Sequence, residues 1–131
     1  MGFIDRIDAR ARRNTFFREV VATGPHSQVV VMSIAPGDDI GAEVHEHVDQ
    51  ILAIVEGSGE AVLDGERTAI GPGWLVQVPA GARHDIVNTG STDLRLYTVY
   101  APPQHAPGTI HRTKADAEAA EAAEPSAGSA G

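Results

Sequence analysis

The chain contains no cysteine. Disulfides, thiolate nucleophiles and thiolate-bound zinc are therefore excluded, and any metal must be held by nitrogen and oxygen. Basic residues are outnumbered, with 10 Lys and Arg against 18 Asp and Glu, for a formal net charge of -8. A field of that sign repels polyanions and disfavours nucleic acid and anionic membrane as partners, while a local cation can still draw in a small acid. No apolar run approaches a membrane span. The opening stretch MGFIDRIDARARRN lacks the apolar core of a secretion signal, so a cytoplasmic location is expected. Aromatic residues are few: 3 Phe, 2 Tyr and 1 Trp.

Turn formers are plentiful instead, with 14 Gly and 8 Pro in 131 residues. That length supports one real core and not two. From Ser27 onward, short apolar runs alternate with turn residues: SQVVVMSIA, AEVHEHV, ILAIVEG, GEAVLDGERTAI, WLVQV, HDIVN and LRLYTVY. Gly57-Ser58-Gly59 and Asp64-Gly65 read as hairpin turns. Eight or so strands at this spacing, with no helix-length amphipathic pattern among them, predict an all-β sandwich or jelly-roll barrel.

The organisation expected is an N-terminal arm over residues 1–14, a barrel over 15–112 and a C-terminal tail over 113–131. The arm carries Arg6, Arg10, Arg12 and Arg13, which are expected to pair with local acids or cover a partner subunit. APPQHAPGTIHRT is Pro-rich and expected to lie extended on the barrel. KADAEAAEAAE has strong helix formers but almost no large apolar residue, and PSAGSAG is expected to be disordered. Sheet edges and the basic arm suggest a homodimer.

His45-Glu46-His47 is the informative stretch. On a strand, residues two apart share a face about 6–7 Å apart, so both rings can converge on one ion. Glu43 would share that face and is the candidate catalytic residue, as a base beside the ligands. Gln50 follows three residues on, and His84 follows the Pro79-Ala80-Gly81 turn, from which it can close a site across the barrel. Trp74 and Tyr97 read as core or pocket-lining, Asn88 as a turn support, and His26, His105 and His111 as exposed loop residues.

HEHVDQILAIVEGSG resembles the first motif of the cupins: His-x-His, a Glu or Gln ligand, then a glycine turn. Gly73 to Asn88, GWLVQVPAGARHDIVN, resembles the second: Gly, five residues, Pro-x-Gly, two residues, His, three residues, Asn. Order and separation also agree, and the resemblance spans residues 15 to 105. It implies a double-stranded β-helix barrel with one divalent metal ion on His45, His47, Gln50 and His84. Two positions depart from the pattern: the glycine before His-x-His is displaced, and Gln50 stands where glutamate is usual. A neutral amide leaves the ion its full charge, which favours an anionic or carbonyl-bearing small-molecule ligand. Imidazole and oxygen suit Zn, Fe, Mn, Ni or Co. The function implied is a metalloenzyme acting on a small oxygenated acid or sugar-derived carbonyl compound by isomerase- or lyase-type proton transfer. The alternatives are a non-haem iron dioxygenase and a non-catalytic binding protein.

Overall fold

The computed structural model describes residues 2–123. Two antiparallel sheets face each other. The larger contains β1 (Arg18–Thr23), β2 (Gln28–Ile34), β4 (Asp49–Glu56), β7 (Leu75–Val78), β9 (Leu94–Ala101) and β10 (Ile110–His111), in the order β10-β1-β2-β9-β4-β7. The smaller contains β3 (Glu43–Val44), β5 (Gly59–Leu63), β6 (Glu66–Ile70) and β8 (Arg83–Asn88), in the order β3-β8-β5-β6. The expected all-β cupin-type barrel is what forms.

Strand alternation fills its interior. Leu94, Leu96, Thr98 and Tyr100 point inward from β9, and Gln50, Leu52 and Ile54 point inward from β4. Met32, Ile34, Ile54, Leu94 and Leu96 belong to one apolar core. Gln28, Tyr100, Gln50 and Val78 fall in one row across the larger sheet. The barrel interior is thus greasy in one part and polar in another, and the polar part contains the chemistry.

Asp64-Gly65 is a two-residue hairpin turn, with φ of 49° and 87° matching the double positive φ that the twist of paired strands prefers. Gly57-Ser58-Gly59, expected as a second hairpin, is instead a crossing. β4 lies in the larger sheet and β5 in the smaller, so the chain changes sheets there. The glycines are needed for close approach: a Cβ at Gly59 would lie 2.3 Å from the Val87 carbonyl oxygen.

The N-terminal arm contains a helix, α1 (Ile7–Arg13), whose Ala11 is sealed against Val31 and Val55 on the outer face of the larger sheet. Arg10 pairs with Asp5 and Glu19, and Arg12 with Asp8, as the local-pairing expectation had it. The Pro-rich exit is tied down by Gln28. Its Oε1 accepts from the backbone N–H groups of Gln104 and His105, and its Nε2 donates to the His105 carbonyl. A second helix, α2 (Lys114–Ala123), then docks on the barrel through buried Ala117, with Lys114 paired to Asp38 and Asp39. The stretch expected to be disordered lies outside the described residues. No helix among the described residues is long and apolar enough to cross a membrane.

Candidate metal centre

Glu43 and His84 are register partners on β3 and β8. The expected strand through His47 stops at Val44, whose partner Arg83 is the first residue of β8. Beyond that point there is no neighbouring strand to bond, so the chain turns at Glu46 and His47. Alternation ends with the ladder. His45 is buried, whereas His47 is exposed on the turn and does not join it.

Glu43, His45 and His84 each offer one ligand atom, all within 4.8 Å of one another. The His45 and His84 ring centroids are 5.3 Å apart, and Glu43 Oε2 lies 3.6 Å from His45 Nε2. Burial pushes the Glu43 carboxyl up to about 7. Burial, with His45 beside it, holds His84 down to about 4, so its ring is neutral and ligand-competent at physiological pH.

Gln50 is buried on β4. Its Nε2 donates to Thr98 Oγ1 at 3.1 Å, which fixes the amide orientation. That leaves Gln50 Oε1 buried with no hydrogen-bond partner, and both ring nitrogens of His84 are in the same condition. Buried acceptors left unmatched are costly and rare. Nitrogen and oxygen donors of this kind, withdrawn from water and held in fixed orientation, fit a divalent cation.

Several neighbours were not foreseen from sequence. Tyr100 stands edge-on to His45 at 6.0 Å and to His105 at 5.1 Å. Its burial pushes the phenol pKa upward. His105, expected as an exposed loop residue, is half-buried, and burial lowers its pKa to about 3. His111 is also half-buried: it pairs with Arg18 across the β1–β10 ladder and accepts a 3.1 Å hydrogen bond from Arg18 Nη1. Arg18 itself is only 2% exposed. The available signal was its place inside the apolar run FFREVV, where one charge alternates with Val20 on the inward face.

Other expectations fare variously. Trp74 is half-exposed rather than core, because it sits at the edge of the larger sheet beside β7. Tyr97 packs under α1 on the outer face. His26 is exposed, as expected. Asn88 supports a turn, donating to the Ile34 and Thr92 carbonyls and accepting from the Gly90 N–H.

Several known proteins are similar to this chain. YrkC, an uncharacterized protein of Bacillus subtilis, is 44% identical over 126 residues, covering 91% of this chain and 67% of its own length. The crystal structure of BH2720 from Bacillus halodurans superposes with a TM-score of 0.89 at 41% identity, covering 91% of this chain and 95% of that one. An oxalate-binding protein of Thermotoga maritima is 34% identical over 68 residues, covering 52% of this chain and 56% of that protein. The family model described as Cupin domain matches residues 30–100, more than half of the chain, and the protein belongs to the cupin family.

Proposed function

We propose that the barrel binds one divalent metal ion and acts on a small oxygenated acid or sugar-derived carbonyl compound by moving a proton. The observation that carries this reading is the convergence of Glu43, His45 and His84 beside the unmatched Gln50 Oε1. His45, His84 and Gln50 would hold the ion. His47 stays in the proposed set on the strength of the His-x-His motif alone. A bound divalent ion would polarise a carbonyl or carboxylate oxygen and stabilise the charge that develops as a proton leaves.

Glu43 is the proposed proton carrier. Burial pushes its carboxyl upward, and a divalent ion beside it would favour the ionised form that accepts a proton. Tyr100 stands edge-on to His45 and His105, and burial keeps both the phenol and the His105 ring neutral.

The test is exchange of the carbon-bound proton next to a carbonyl, followed by NMR in D2O across 2-oxo acids and uronates. Metal-loaded protein should catalyse exchange on one class, and Glu43→Gln should abolish it while keeping its metal. Oxygen uptake without exchange would replace this reading with the dioxygenase one. The oxalate-binding relative favours a second reading, in which the same end of the barrel holds a small dicarboxylate without turnover.

The proposal includes a homodimer. Trp74 and Leu75, 52% and 62% exposed at the β7 edge, are the apolar surface that a second copy would cover. Light scattering at monomer mass would remove that element and leave the site unaffected.

A further inference from the structure

A buried guanidinium without a buried carboxylate is an unusual thing for a fold to keep, since desolvating a charge costs several kcal/mol. Arg18 is such a case. Its side chain is 2% exposed and its Nε has no hydrogen-bond partner. The head donates to His111 Nδ1 and hydrogen-bonds the Tyr100 phenol, and both are neutral-side partners rather than counter-ions. Among the described residues its ion pair is with Glu121 on α2, at 3.9 Å and 57% exposed, while Glu43 acts on it through charge without an ion-pair contact. A cavity of about 120 Å³ under α2 is lined by both Arg18 and Glu43, together with Phe17, Ile40, Ala117 and Glu121. One space therefore touches this loosely paired cation and a member of the candidate metal centre.

We propose that Arg18 is an anion anchor. A small carboxylate-bearing ligand enters beneath α2, takes the place of Glu121 on the guanidinium through Nε and a terminal nitrogen, and extends its other oxygens toward Glu43, His45 and His84. Glu121 acts as a stand-in carboxylate that holds the anchor when no ligand is present. The substrate class is thus an acid with two oxygen-bearing ends. The far end rests on the metal-binding reading given above, whereas the anchor does not.

Malonate is the probe, and malonamide is the neutral control of the same shape. Both are titrated calorimetrically into the full chain at neutral pH, first freed of metal with a chelator and then metal-loaded. Metal-free protein should bind malonate and ignore malonamide. Glu121→Gln, an exposed change that leaves the core alone, should tighten malonate about twofold to fivefold, the range of an exposed ion pair removed as competitor. Arg18→Gln should weaken it about tenfold or more, as expected for a lost charge-assisted pair. Should Arg18→Gln fail to fold, the Glu121 result decides alone. Equal malonate affinity in Glu121→Gln and the parent, no binding by either, or equal binding of malonamide overturns the anchor. Failure of the metal reading looks different: malonate binding then keeps its Glu121 dependence and is indifferent to added metal.

Discussion

The carbonyl of His45 accepts a 2.8 Å hydrogen bond from the backbone N–H of Gly81. This bond joins the His-x-His turn to the Pro-x-Gly turn, and so joins the two halves of the candidate centre. A neighbouring bond from the Ala80 N–H to Asp49 Oδ1, also 2.8 Å, doubles the tie. Gly81 can serve because its φ is 89°, a conformation in which side chains are strained. Gly81→Ala should cost about 1 kcal/mol of stability and also weaken metal affinity. Parallel denaturant melts and metal titrations check this; lost stability with unchanged affinity would show that the tie does not position the site.

His84→Ala should remove a ligand contributed by a separate strand and lower metal content sharply, with the barrel still folded. His47→Ala should retain more metal than His84→Ala, because its ring is exposed outside the buried trio. Elemental analysis of both variants after identical loading decides. Full stoichiometry in His84→Ala would sink the assignment.

Gln50→Glu should tighten metal binding by adding an anionic ligand and weaken binding of small dicarboxylates by lowering the site charge. At close range and an effective dielectric near 20, one charge is worth up to about 4 kcal/mol. Thr98 Oγ1 can turn to donate to the new carboxylate, so the fold should tolerate the change. Equal affinities in both titrations would mean that Gln50 does not face the ion.

Asp85 gives a pH prediction with a definite sign. Burial, then the hydrogen bond and charge of Asp39, raise its pKa from 3.8 to about 7, while Asp39 is lowered. Between these two pH values the folded chain holds a proton that the unfolded chain has lost, so this group's contribution to stability falls as pH rises and is gone above about 7. Asp85→Asn removes that loss. Its melting temperature should match the parent near pH 4 and exceed it by about 2–4 °C at pH 8. An advantage that shrinks with rising pH would contradict the assignment.

Gly59→Ala should be among the most damaging small substitutions in the chain. Its Cβ would meet the Val87 carbonyl oxygen at 2.3 Å and Leu94 Cδ2 at 3.0 Å. Neither the backbone oxygen nor the packed core can retreat, and a cost of about 3 kcal/mol or more is expected from chemical denaturation. A loss under about 0.5 kcal/mol would mean that the sheet crossing is looser than its contacts indicate.

Much of the fold was legible along the chain because it is written in local patterns. The run LRLYTVY between turn residues marked a strand, and Asp64-Gly65 specified its own turn. Both motifs marked His45, His47, Gln50 and His84 as special before any contact was known, and nothing in them set His47 apart. The missed residues share one property: each owes its burial to a partner remote in the chain. Arg18 becomes a buried cation only because β10 returns to pair His111 beside it. His105 is withdrawn from water only because Gln28 captures its backbone and Tyr100 meets its ring.

Sequence by itself determined the barrel, the Asp64-Gly65 turn and the chemistry of the donors, since strand period, turn residues and the absence of cysteine all act locally. Tertiary structure alone decided which donors meet. His45 and His47 carry identical side chains two positions apart, and a continuous strand would have turned both inward. The ladder between β3 and β8 ends at Val44 and Arg83, so the chain is free to turn, one ring is buried and the other is left in water. Hydrogen-bond partners on a neighbouring strand set where a strand stops, and those partners are a property of the folded sheet.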